Sequence, residues 1–292
     1  MTTLQHVGVL AHPLRPQTAP LAEEIADYLA SQEIDHWMFT RWEESTVLPR
    51  VSGSDLVIAI GGDGAMLRAA RACAPHNVPV LGINMGQLGF LTEVSAGDWR
   101  APLEGVLNGH YWVETRMMLY AELLREETVI ASGHALNDVV ISRGMAPRTI
   151  WLEAYIDRDW TTTYNADGVV IATATGSTAY ALAAGGPILP PELRNILIVP
   201  VAPHLSMERP IVLSEGSTVE VVAAADNSTE IVLQVDGTYI GQVEPGDRVR
   251  VQASPYITRF VRMRERQYFY RSLLDRLEPR LPTRGAPLKR QL

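Results

Sequence analysis

The sequence predicts an N-terminal doubly wound α/β domain over residues 1–110 and a β-rich, sandwich-like second domain over 111–261. Residues 262–292 follow as a C-terminal helix and tail, expected to pack back on the first domain and to be disordered at the end. Three observations carry this reading. Strand and helix patterns alternate through the first third, which argues for a parallel sheet with helices on its faces. From about residue 111 helical spacing becomes scarce. Short β-rich runs then alternate with the turn signals Ser214-Glu215-Gly216, Asp236-Gly237 and Pro245-Gly246-Asp247.

Val7 to Ala11 reads as the first strand. Ala19 to Ala30 places Leu21, Ile25, Tyr28 and Leu29 at helical spacing. Leu56 to Ile60 is an unbroken apolar run, the pattern of a strand buried on both faces. A helix through Cys73 follows it, and Val80 to Asn84 forms the next strand. In the second part the expected strands are 116–124, 129–142, 149–156, 169–173, 196–201, 218–223, 230–235 and 248–253, with one short helix near Thr178 to Ala184.

Composition narrows the function classes. Of 292 residues, 47% are apolar and 20% charged, ordinary values for a globular chain. The net charge of −8 offers no basic field for a nucleic-acid backbone. No apolar run approaches the ~20 residues that span a bilayer, so no membrane partner is expected. Cys73 is the single cysteine and no N-terminal apolar core suggests export, so a cytoplasmic protein is expected.

The most informative segment is Gly61-Gly62-Asp63-Gly64, between the end of a strand and the start of a helix. Glycines there let backbone N–H groups approach a phosphate, and a helix N-terminus favours negative charge. Asp63 either caps the helix or takes part in chemistry. Ligands of such sheets bind beyond the carboxyl ends of the strands, where Asn84 also falls, so the two share one crevice.

Three later segments add to it. Asn137 and Asp138, beside a β-branched run, form either a turn or an amide–carboxylate pair suited to a purine edge or ribose hydroxyls. The run from Asn165 and Asp167 through Thr175, Thr178, Ala179, Tyr180 and Ala183 is a strand entering a hydroxyl-rich turn and short helix. Capping accounts for one of its hydroxyls, and the density of the rest suggests a phosphate or ribose cradle. Tyr180 either stacks on a base or fills the core. Asp236-Gly237 is a hairpin signal whose carboxylate can still face the crevice.

Gly-Gly-Asp-Gly with Met66-Leu67, Gly-Ile-Asn-Met-Gly-Gln-Leu-Gly-Phe-Leu at 82–91, Asn-Asp at 137–138, Thr-Gly-Ser-Thr-Ala-Tyr at 175–180 and Gly-Gly-Pro-Ile at 185–188 occur in that order. With them the chain resembles the NAD kinases over roughly residues 5–260. Gly-Gly-Asp-Gly alone is shared with phosphofructokinases and lipid kinases, and the Thr-Gly-Ser-Thr-Ala-Tyr block separates them.

The resemblance implies transfer of a phosphoryl group from ATP, another nucleoside triphosphate or polyphosphate to the 2′-hydroxyl of the adenosine ribose of NAD, with Mg²⁺ or another divalent cation. Asp63 matches the proton acceptor. Gly64 and Arg68 match positions near the nucleotide, and Asn137 and Asp138 match the pair that binds the adenosine part of NAD. Thr175 and Thr178 to Ala183 match the loop around the dinucleotide. Arg148 and Asp167 match contacts supplied across the interface of a homo-oligomer, a dimer or tetramer. Thr238 matches a last contact.

Ala65, Ala174, Asn165 and Ala183 stand where relatives usually have Thr, Pro, Arg and Ser. Ala65 removes a hydroxyl near the donor, and Asn165 removes a charged contact. The rival readings are a diacylglycerol- or sphingosine-type lipid kinase using the same glycine turn, and an NAD-binding regulatory module without catalysis.

Overall fold

The computed structural model describes residues 4–86 and 89–265, together with Leu273. The C-terminal helix and tail expected beyond Arg262 lie almost wholly outside the described residues. The chain opens with β1 (His6–Leu10), α1 (Ala19–Ser31), β2 (Asp35–Phe39), α2 (Glu44–Val51), β3 (Leu56–Ile60), α3 (Asp63–Cys73), β4 (Val80–Asn84), β5 (Val94–Ser95) and α4 (Arg100–Leu107). The strands lie parallel in the order β2-β1-β3-β4-β5.

This part is doubly wound, as expected, and β3 shows why its sequence is apolar throughout. Leu56, Ile58 and Ile60 pack on one face against Leu21, Ile25 and Leu29 of α1 and Leu103 and Val106 of α4. Val57 and Ala59 pack on the other against Val47 and Val51 of α2 and Met66 and Ala69 of α3. Four elements here were not anticipated, one of them the two-residue β5. β2 is a half-buried edge strand carrying Asp35 and His36. α2 and α4 are short and each contains a proline, Pro49 and Pro102, which masks their helical spacing.

The β-rich part comprises β6 (Trp112–Arg125), β7 (Thr128–Ala135), β8 (Asp138–Arg143), β9 (Ile150–Ile156), β10 (Asp159–Ala166), β11 (Gly168–Thr173), the single-turn α5 (Tyr180–Ala183), β12 (Asn195–Val201), β13 (Ile211–Ser214), β14 (Val219–Ala223), β15 (Ile231–Val235), β16 (Thr238–Val243) and β17 (Arg248–Arg262). β13-β12-β11-β8-β15-β16 form an antiparallel sheet. It faces β6, β7, β9, β10, β14 and β17 across one apolar core, the sandwich the sequence suggested.

Two expected strands are corrected. Residues 129–142 do not form one strand: β7 pairs with β6 in one sheet and β8 pairs with β11 and β15 in the other. The break falls at Leu136 and Asn137, whose N–H groups bond to the Asp236 carboxylate instead of a neighbouring strand. The strand expected to end at Ala253 continues to Arg262 through a register shift between Ala253 and Ile257. Its far end pairs Phe260 with Val80 of β4, so β17 joins the β-rich part to the parallel sheet. β10, β13 and β16 also escaped the sequence reading, being polar or very short. No described helix is long and apolar enough to cross a membrane.

Candidate active site

The carboxyl ends of β1, β3 and β4 open onto one cleft. β3 ends at Ile60, and Gly61 turns the chain at φ +151° while its N–H donates to the Ile83 carbonyl at 2.8 Å. A side chain at Gly61 would also press on Ala65 and the His12 ring, so both conformation and space demand glycine. Gly62 and Gly64 have open space where a Cβ would stand, which leaves their backbone approachable.

Asp63 is the first residue of α3 and does not spend its side chain on capping that helix. Its Oδ2 accepts the Phe90 N–H at 2.9 Å and its Oδ1 the Leu91 N–H at 3.0 Å. The carboxylate is thus held from the loop after β4 and lies so close over Gly89 that a Cβ there would overlap it. Asn84 shapes the same loop from beneath. Its Oδ1 accepts the Gly86 N–H at 3.1 Å, and its amide reaches the Thr92 hydroxyl at 3.4 Å. The cleft, about 430 Å³, is lined by Gly62, Asp63, Asn84 and Gly89, as the strand ends suggested, and also by Arg15 and Gln17.

Arg15 and its neighbour His12 were not singled out from sequence, although both follow β1 at the carboxyl end of the sheet. The Leu14 N–H donates to His12 Nδ1 at 3.1 Å. Burial, then the charges of Arg15 and Arg68, hold the His12 pKa below its usual value. Two cations therefore flank the glycine turn in a chain of net charge −8.

The second half of the site is built around Asp236. The β15–β16 hairpin turns on Asp236 and Gly237, both at positive φ (+46° and +72°), the two-residue turn that Asp-Gly signals. The half-buried Asp236 accepts the N–H groups of Leu136, Asn137 and Asp138 on its carboxylate at 2.9, 2.8 and 3.2 Å. It therefore serves the backbone of the Asn137–Asp138 pair. Burial pushes its pKa up against the opposing effect of those three donors.

Asp138 is 6% exposed, and no hydrogen bond reaches its carboxylate from the described residues. Burial first, and the neighbouring Asp236 second, push its pKa up to about 7. A buried carboxylate without partners is costly unless something donates to it.

The hydroxyl-rich segment is tied to the same pair, since Thr173 N–H donates to the Asn137 carbonyl at 2.9 Å. Its hydroxyls form neither caps nor an open cradle. Thr173 Oγ1 donates to the Leu136 carbonyl, Ser177 Oγ to that of Ala174, and Thr178 Oγ1 to that of Thr175. Thr175 is buried, and its hydroxyl accepts from Arg116 at 3.0 Å. Tyr180 and Ala183 are exposed and Ala179 half-buried, leaving the outer side of α5 open.

Arg68 and Thr238 meet in a neighbouring cleft of about 460 Å³, with Arg71 and His134. Arg71 reaches the Thr238 hydroxyl at 3.4 Å, which connects α3 to the Asp236 hairpin.

Arg148, Asn165 and Asp167 are not with these residues. β8 and β11 run antiparallel, with Ala172 opposite Asp138 and Gly168 opposite Ser142. Asp167 therefore lies at the other end of the strand, about 17 Å from Asp138 at strand spacing. There it pairs with Arg143 at 2.8 Å. Asn165 is buried and its Oδ1 has no partner among the described residues.

Comparison with known proteins agrees with this layout. Residues 7–111 match the family model described as the ATP-NAD kinase N-terminal domain, and 136–263 match the ATP-NAD kinase C-terminal domain. The chain is 40% identical over 270 residues to an NAD kinase of Heliobacterium modesticaldum, covering 90% of this chain and 95% of that protein. It is also 40% identical to an NAD kinase of Chloroflexus aurantiacus over 274 residues, 94% and 99% of the two chains. Among solved structures, yeast NADH kinase complexed with NADH superposes with a TM-score of 0.83 at 25% identity, covering 94% of this chain and 88% of that one. An Archaeoglobus fulgidus NAD kinase in complex with ATP shares the fold, with a TM-score of 0.73 at 23% identity over 93% and 98% of the chains. With both family models matched in order and relatives aligned almost end to end, the chain belongs to the NAD kinase family.

Proposed function

We propose that the chain phosphorylates the 2′-hydroxyl of the adenosine ribose of NAD, giving NADP, with Asp63 as the base and ATP as donor. The observation that carries the assignment of Asp63 is its grip by two N–H groups at the head of an open, glycine-walled cleft. Each carboxylate oxygen accepts one of those bonds and keeps a lone pair for a further proton. In the step, the ribose O–H bond breaks toward Asp63, the freed oxygen attacks the γ-phosphorus, and ADP leaves with the electrons of the broken P–O bond. Positioning and charge neutralisation supply most of the rate.

The donor's phosphates fit against the Gly62 and Gly64 backbone, with Arg15 and Arg68 as cations. Among the described residues the cleft offers a single carboxylate, too few for a resident Mg²⁺ site, so a divalent metal would enter with the nucleotide and neutralise its phosphate charge. NAD is assigned to Asn137, Asp138, Thr175 and the outer side of α5, with Thr238 bordering it. Arg148, Asn165 and Asp167 are assigned to the site of a neighbouring copy in a dimer or tetramer. Their distance from Asp138, the open Asn165 Oδ1 and the exposed Trp151 and Trp160 support this. A cytoplasmic setting fits the lone, buried, free thiol of Cys73.

Incubation with NAD, ATP and Mg²⁺ should yield NADP. Absence of NADP, with a lipid phosphorylated instead, would sink the proposal. Two substitutions test its parts. Gly89→Ala drives a methyl into the Asp63 carboxylate and should lower kcat about 100-fold, the penalty of a displaced base. A normal kcat would show that Asp63 does not need this seat. Arg15→Ala should raise the KM for ATP roughly 10- to 100-fold, the loss of one charge-assisted contact, and leave the KM for NAD within about threefold. Equal effects on the two substrates would remove Arg15 from the donor.

A further inference from the structure

Among the described residues, the buried Glu93, Arg116 and Arg262 and the partly buried Glu114 lie between the two halves of the site. Glu114 and Arg116 stand two apart on β6, on one face, and Arg262 lies on the adjacent β17. Arg116 and Glu93 are each 5% exposed and Arg262 is 7% exposed. They form a continuous chain of contacts. Thr175 Oγ1 accepts from Arg116 Nη1 at 3.0 Å, and Arg116 Nη2 pairs with Glu114 Oε1 at 2.9 Å. Glu114 Oε2 accepts from Arg262 Nε at 2.8 Å, and Arg262 Nη1 donates to the Leu91 carbonyl at 2.9 Å. Leu91 is the residue whose N–H holds Asp63. Glu93 secures the far side, its Oε2 3.4 Å from Arg262 Nη1 and its Oε1 accepting the Met263 and Arg264 N–H groups.

Such burial is not explained by stability, since apolar residues of similar volume commonly do as well or better. What the chain supplies is geometry. Arginine forks bridge two acceptors in fixed directions, which a lysine cannot do.

We propose that Arg262 and Arg116, joined through Glu114, are positioning residues that lock the loop holding Asp63 to the Thr175 end of the dinucleotide loop. The proposal rests on the assignment of Asp63 as base and of Thr175 to the dinucleotide. The loop that holds Asp63 and the loop that carries Thr175, which follow strands of different sheets, then keep one separation.

The test uses Arg262→Lys, Arg116→Lys and the double variant of the full chain, read first by hydrogen exchange without substrates. Arg262→Lys should speed exchange of the Phe90 and Leu91 amides about tenfold or more. Arg116→Lys, which touches neither amide, should do the same. Unchanged protection in Arg116→Lys would overturn the proposal whatever the reaction proves to be. In NADP formation, Arg262→Lys should lower kcat about tenfold with KM values held within about threefold. Arg116→Lys should raise the KM for NAD and spare that for ATP. The double variant should lose less than the product of the single effects, because either change severs the same chain. Multiplicative losses would mean two independent structural roles and would also overturn it. If either lysine variant fails to fold, Glu114→Gln cuts the middle of the chain more gently, and unchanged Phe90 and Leu91 exchange in it would count against the coupling. Wild-type chain that forms no NADP would refute the functional reading while the exchange result still decides the coupling.

Discussion

Asp63→Asn is expected to lower NADP formation by about 10²–10⁴-fold while NAD still binds, the range general-base catalysis contributes. The ribose hydroxyl is a poor nucleophile until its proton leaves, and no other carboxylate among the described residues lines the cleft. The amide has a second consequence. The Asp63 oxygens face two N–H donors, from Phe90 and Leu91. An asparagine can accept only one of them and must turn an NH₂ toward the other, at about 1–3 kcal/mol. A small loss of thermal stability should therefore accompany the large loss of kcat. Calorimetric NAD titration of the variant separates the two effects. Near-normal turnover would remove Asp63 from the base role.

Asp138→Asn should weaken NAD binding about 10- to 100-fold and at the same time raise the melting temperature above pH 7. The folded-state pKa of Asp138 is raised, from 3.8 to about 7. Between those values the folded state holds a proton that the unfolded chain has lost, so stability is greatest at low pH and falls as pH rises toward 7. Above 7 the folded chain bears the full cost of the buried carboxylate, about 4 kcal/mol. An uncharged amide relieves it, so the variant should gain over wild type at pH 8 and lose that advantage near pH 5. Ribose hydroxyls donating to Asp138 favour its ionised form. NAD affinity of the wild type should therefore rise between pH 6 and 8, with proton release on binding, and this dependence should vanish in the variant. Titration calorimetry in buffers of different ionisation enthalpy measures it. A flat profile in the wild type would separate Asp138 from the ribose.

The legible parts of the site were local. Gly61 to Gly64 follows an apolar strand, and that alone places Asp63 at the carboxyl end of a parallel sheet. Asn84 ends the next strand by the same logic. Asp236-Gly237 was legible as a hairpin, but not as the anchor of residues 136–138, which are about a hundred positions away and whose break in the strand pattern it causes. Arg116 looked like an ordinary charge at the start of a strand, and Arg262 like one in the charged tail. Nothing in their own neighbourhoods marks them as buried, because burial came from pairing β6 with β17 across 148 residues, the separation between Glu114 and Arg262. Arg15 sits in a polar loop whose side chains gain meaning only from the Gly62 and Asp63 backbone beside them.

By itself, then, the sequence determined the strand, glycine turn and helix that carry Asp63, and through its ordered motifs the family. The first depends on side-chain periodicity and backbone freedom over a few neighbouring residues and the second on the order of short motifs, both of which one-dimensional pattern records. The tertiary structure alone decided which groups hold Asp63, why Asp138 is raised toward neutrality, and how the two halves of the site are joined. Those depend on backbone N–H groups, desolvation and ion pairs between segments far apart in the chain, and they exist only once the sheets have closed on each other.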